Sequence, residues 1–144
     1  MIRQLQRLES CYREAARVAR DLAGRIRAGN GALDQSDLEK GLEIRARALL
    51  SAQDLSGLVV GAGSQSRFRS LTPAQRDQAI RLTAQARAQA ESALEAGEEL
   101  FRLLSAERDR TRSRIKAVGN GQRLMRGYKG FKTTAANLNP ALRG

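Results

Sequence analysis

Residues 73–118 read PAQRDQAIRLTAQARAQAESALEAGEELFRLLSAERDRTRSRIKAV, a run of forty-six positions whose single proline stands at its first place. Thr72 before it supplies a hydroxyl for the N-cap. Pro73 then occupies the first helical position, where the missing N–H costs nothing. As one α-helix the run would reach roughly 69 Å, more than the core of a compact domain of this size needs. One heptad phase runs along it through Ile80, Thr83, Arg87, Ala90, Leu94, Gly97, Phe101, Leu104, Arg108, Thr111, Ile115 and Val118. This phase is taken as the seam that meets neighbouring helices, interrupted where Arg87, Arg108 and Thr111 stand in place of Leu or Ile. The Ala-rich stretch from Ala84 to Ala96 permits close approach of another helix. Such a helix is a scaffold, suited to holding another chain rather than to enclosing a substrate.

Upstream, Leu5, Leu8, Tyr12, Ala15, Ala19, Leu22 and Ile26 recur at spacings of three and four and predict a helix over about 2–28. Gly29-Asn30-Gly31 ends it, since Gly and Asn tolerate the left-handed conformation that closes a helix. Ser36 and Glu39 have capping-box spacing and predict a second helix over about 36–53, with Leu38, Leu42, Ala46, Leu49 and Leu50 as its apolar face. From Leu55 to Ser70 the helical period fails around Gly57, Gly61 and Gly63, which predicts a loop or hinge. Its Gly-Ala-Gly after an apolar triplet lacks the third glycine and the βαβ surroundings of a dinucleotide site. The fold class that follows is all-α: an elongated antiparallel bundle of three helices spanning 1–118, with one long C-terminal helix. Residues 119–144 form a flexible basic tail, because four glycines in its first twelve residues disfavour a helix.

The 144 residues include no His, no Trp and one Cys, and carry a formal charge of +11. Without His the commonest general base and metal ligand is missing, and Cys11 alone makes neither a disulfide nor a thiolate cluster. No nucleophile–base cluster is visible, so the reading is of a non-enzyme without cofactor or metal. The polar N-terminus and the absence of a long apolar run predict no signal peptide and no membrane insertion, which implies a cytoplasmic protein. The charge is uneven: residues 1–57 hold ten basic and eight acidic groups, residues 73–118 nine and seven, and the tail five basic and no acidic ones. A one-sign field therefore acts mainly at the tail, and nucleic-acid binding through its basic and aromatic side chains is a rival reading. A structural coiled-coil adaptor is another.

The covering helices are too short to reach the end of the long one, which leaves apolar residues for a partner. The candidate contacts are Ile115, Val118, Leu124, Met125, Tyr128 and Phe131, with Arg126 and Lys129 supplying electrostatic steering. Here the chain resembles a family. The order of long helices, the segment from Leu42 to Leu50 (LEIRARALL) and above all Ile115 to Met125 (IKAVGNGQRLM) are similar to the FlgN/FliT type of flagellar export chaperone. The resemblance implies a cytoplasmic helical protein that binds the hydrophobic terminal helix of a secreted flagellar subunit. It would prevent premature assembly and deliver that subunit to the export apparatus.

Overall fold

In the computed structural model the chain is described over residues 1–29 and 33–138, with side chains placed as far as Gly127. Four helices account for it: α1 Ile2–Ala28, α2 Gln35–Val60, α3 Ser64–Arg69 and α4 Pro73–Leu138. The chain divides into two units, Met1–Leu104 and Ser105–Gly144, and α4 contributes to both. Among the described residues there is no strand, and none of the helices is long and apolar enough to cross a membrane.

The boundaries follow from local chemistry. Helix α1 ends at the expected place, where Gly29 turns to φ 64° and its N–H is donated back to the carbonyls of Arg25 and Ile26. Asn30 and Gly31, expected to share in that turn, lie outside the described residues. Helix α2 is capped earlier than Ser36: Asp34 is extended, and its carboxylate accepts from the N–H of Asp37 at 2.7 Å. A carboxylate three residues ahead of a free N–H does the work expected of the Ser36 hydroxyl. Thr72 caps α4 as expected, and does so reciprocally. Its hydroxyl accepts from Gln75 N at 3.3 Å while Gln75 Oε1 accepts from Thr72 N at 3.0 Å.

Two segments depart from the sequence reading. Residues 54–60 continue α2, and the remainder of the expected loop contains the short helix α3, entered through Gly63 at φ 84°. Arg67 donates to the carbonyl of Leu58 at 2.6 Å, and Arg76 donates to those of Arg69 at 2.6 Å and Leu71 at 3.0 Å. Two guanidinium groups thus satisfy backbone carbonyls that the tight turns leave free. The long helix, expected to end at Val118, continues through Gly119, Gly121, Gly127 and Gly130 to Leu138.

The core of the first unit consists of four layers. Leu5 meets Ala79 and Leu82, with Val59, Phe68 and Leu71 around them. Next, Leu8 packs with Ala52, Leu55 and Ala86, and Cys11 and Tyr12 close the layer. Ala15, Ala16 and Ala93 follow, with Ala48 and Leu49 alongside. The last layer joins Val18, Ala19, Leu22 and Ala23 to Ala96 and Leu100, with Leu33 and Leu38 against it. Of the expected α1 stripe, Leu5, Leu8, Ala15, Ala19 and Leu22 are buried and Tyr12 and Ile26 partly so, and Ala16, Val18 and Ala23 widen the buried face. On α2 the expected face is not the buried one: Leu42, Ala46 and Leu50 face outward, and Ala52 and Leu55 are the buried pair.

Alanine dominates these layers, with Ala15, Ala19 and Ala52 at 0 % exposure. A helix surface made of methyl groups allows axes to approach at the short end of the usual 8–10 Å range. The same closeness appears at Gly41, where an added Cβ would come within 2.8 Å of the buried Leu22 side chain. At Gly97 the guanidinium of Arg45 from α2 occupies the space a side chain would need. Arg45 Nε is buried there without a hydrogen-bond partner among the described residues.

Candidate partner-binding surfaces

The buried face of α4 in the first unit is Ala79, Leu82, Ala86, Ala93, Ala96 and Leu100. It lies one residue away from the expected heptad phase. A shift of one position turns a helix by about 100°, enough to move the expected seam out of the core. Ile80, Leu94 and Phe101 are therefore 59 %, 62 % and 73 % exposed. The large residues at seven-residue spacing form an outer stripe, and the core is built from the alanines beside them.

The outer stripe starts at a groove, where the end of α2, the short α3 and the first turns of α4 meet. Val59, Val60, Phe68, Ala79 and Ile80 make its apolar walls, and Leu5 of α1 contributes to the lining. Its volume is about 620 Å³. Sequence reading missed this groove because its wall is α3, a six-residue helix inside a stretch punctuated by glycine. The available signal was the pair of apolar residues Phe68 and Leu71 among serines and arginines, spaced one helical turn apart.

At the far layer, α1 and α4 are tied by charge. The Glu99 carboxylate accepts from Nε and Nη2 of Arg102, both at 2.8 Å, and from Arg27 of α1. First the Arg102 guanidinium and then Arg27 hold this carboxyl at about 2, below its ordinary 4.5. Because the folded value is the lower one, the contribution to stability is present above pH 4.5 and disappears as pH falls toward 2. Glu99→Gln is accordingly expected to melt below the unmodified protein at pH 7, the gap closing as the buffer is taken through pH 4 to pH 2. Thermal melts over that series check it. A gap that does not change with pH would mean that the carboxylate charge is not what joins the two helices.

In the second unit, Ile115, Val118, Leu124 and Met125 are all more than 60 % exposed, and Arg126 is exposed as well. The side chains of Tyr128, Lys129 and Phe131 lie outside the described residues, although the backbone there belongs to α4. The described candidates do not share a face. Ile115, Val118 and Met125 fall within about 80° of one another, whereas Leu124 is about 180° from Ile115. The described candidates thus set Ile115, Val118 and Met125 on one side and Leu124 on the opposite one, instead of the one surface expected.

Charge in this unit was also placed too late by the sequence reading. The last acidic residue of the chain is Asp109, and the cationic run begins with Arg110, nine residues before Gly119. Arg110 and Arg108 are paired locally with Glu107 and Asp109. Beyond them Arg112, Arg114, Lys116, Arg123 and Arg126 meet no carboxylate in their own stretch of sequence. Comparison with protein-family models, with curated proteins and with solved structures finds no match to this chain.

Proposed function

We propose that the protein is a non-enzymatic helical chaperone of the flagellar export type, acting in the cytoplasm. It holds an apolar terminal helix of a secreted flagellar subunit until that subunit is handed to the export apparatus. The observation that carries this reading is the set of large apolar side chains standing exposed on α4 beyond Ser105. Exposed apolar surface on a chain otherwise rich in charge is the physical mark of a partner site, and a long helix presents it in the form that helix-to-helix capture uses. The resemblance of Ile115 to Met125 to the FlgN/FliT type adds the kind of cargo. The layered contacts of α1, α2 and the first part of α4 support an antiparallel three-helix bundle as its support. Leu5 meets Val59 and Ala79 at one end, while Leu22 meets Leu38 and Leu100 at the other.

The acid-free run from Arg110 onward supports a second reading, nucleic-acid binding. The two are separated by salt. Each phosphate neutralised by Lys or Arg contributes a logarithmic slope of about −0.9, so nucleic-acid affinity would collapse between 50 and 200 mM salt. Capture of an apolar helix would change little. Titration of the full chain with a cargo-type apolar helix and with duplex DNA, at both salt concentrations, tests the proposal. Salt-resistant binding of the helix is the expected result. Tight DNA binding at physiological salt, with no helix binding, would replace it.

A further inference from the structure

The groove beside α3 has a chemistry of its own, separate from the residues beyond Ser105. Its lining contains Arg69 and Arg87 and no Asp or Glu. Among the described residues Arg87 pairs with Glu91, one turn along, in a pair that is exposed on both sides and exchanges readily. The walls are preformed, because Arg67 and Arg76 fasten the backbone of α3 and the turn after it to their neighbours. The rim is open: Val60 is 75 % exposed and Ile80 59 %. Small-molecule sites bury 70–90 % of their ligand, which a trough open along its rim does not do. An open apolar trough suits the side of a peptide helix. From the groove the apolar line continues along α4 through Leu94 and Phe101, about 31 Å from Ile80 at 1.5 Å per residue. The charge changes along this line, from Arg87 at the groove to Glu91, Glu95 and Glu98 beyond it, where the nearby cations are Arg45, lying over Gly97, and Arg102, held by Glu99.

We infer that the α3–α4 groove and the outer stripe of α4 dock an amphipathic helix of a partner protein. That helix carries apolar anchors at heptad spacing, acidic residues at the end that enters the groove and basic residues at the other. The groove takes one anchor between Val60, Phe68 and Ile80. Arg69 and Arg87 pair with the carboxylates beside it, and Leu94 and Phe101 take the later anchors. The sign of the rim sets the direction of the bound helix, since reversal would bring Lys or Arg against two guanidinium groups.

The test uses the full chain and two synthetic helical peptides about three heptads long, with Leu at the anchor positions. One has Glu flanking its first anchor and Lys its last, and the other has these ends exchanged so that its polarity is reversed along the chain. Placement is read from a spin label at the Glu-flanked end and its effect on the methyl signals of Val60 and Ile80. The expected result is that the Glu end lies at the groove for both peptides. Ile80→Asp should weaken binding at least tenfold without changing the melting temperature, because that side chain is exposed. Arg69→Glu with Arg87→Glu should abolish the preference for the Glu end, whereas Arg13→Glu with Arg17→Glu, an equal change of net charge on α1, should preserve it. The Leu124→Ala, Tyr128→Ala variant should leave the effect of the label on Val60 and Ile80 unchanged, which keeps this site distinct from the cargo surface proposed above. Loss of the preference in the α1 variant would reduce the effect to overall charge and overturn the inference. Unchanged affinity in Ile80→Asp would overturn it too, as would a dimer of the free protein that Ile80→Asp dissociates, since a second copy would then be the occupant.

Discussion

Leu100→Ala is expected to lower the free energy of unfolding by about 2–5 kcal/mol, the usual cost of a buried Leu truncated to Ala. Leu94→Ala should change it by no more than about 0.5 kcal/mol, the usual range for a surface substitution away from special features. The two residues are six positions apart on α4, belong to the same type and differ in exposure, 2 % against 62 %. Because Leu and Ala are both strong helix formers, propensity does not blur the contrast. Urea denaturation followed by far-UV circular dichroism measures both. Comparable losses at the two positions would show that the outer stripe, and not the alanine face, packs against α1 and α2.

The second large effect concerns affinity. Within the proposed cargo surface, Leu124→Ala combined with Tyr128→Ala is expected to weaken binding of an apolar cargo helix by at least tenfold. Val118→Ala combined with Met125→Ala should have a smaller effect. Burial of one such side chain contributes about 1.5–3 kcal/mol, and 1.4 kcal/mol is already a factor of ten. Leu124 lies on a different side of the helix from Val118 and Met125, and a single partner helix covers only one side. In the sequence, positions 124, 128 and 131 have the spacing of one helical face, and two of them are aromatic, the residue class that dominates binding hot spots. Calorimetry with both double variants decides between the sides. A strong loss from Val118 and Met125 alone would move the cargo surface to the Ile115 side. Equal affinity in all variants would remove α4 beyond Ser105 from the site.

Where the sequence reading succeeded, it rested on residues whose local chemistry admits one outcome. Gly29 ends α1, Thr72 and Pro73 start α4, and Leu5, Leu8, Ala15, Ala19 and Leu22 of the expected stripe lie on the buried face of α1. On α4 the pattern was anchored on Ile80, Leu94 and Phe101, since large apolar residues are ordinarily the interior ones. The buried set beside them is mostly Ala, and alanines occur equally on outer positions such as Ala84 and Ala88. Periodicity read from bulk therefore selected the wrong side of a helix whose start was correctly placed. The end of α2 and all of α3 were hidden by Gly57, Gly61 and Gly63, whose effect on helix propensity outweighs a short packing signal such as Phe68 and Leu71. The candidate site was legible as a list of exposed apolar residues. The separation of Leu124 from Ile115, Val118 and Met125 was not, because it depends on α4 continuing as a regular helix through Gly119 and Gly121.

The close packing of Ala52 with Ala86 in one layer, and of Ala15 and Ala16 with Ala93 in the next, sets an upper bound on volume at each of those positions. Leucine sites in a core accept Met or Ile with modest loss, but a site filled by one methyl group accepts only Ser or Gly without forcing the axes apart. Related sequences would therefore drift freely in hydrophobic identity along α4 while holding to small residues at these places. What such sequences share is a ceiling on size, written in one of the commonest residues of any helix. It is best recognised by asking which positions never grow larger.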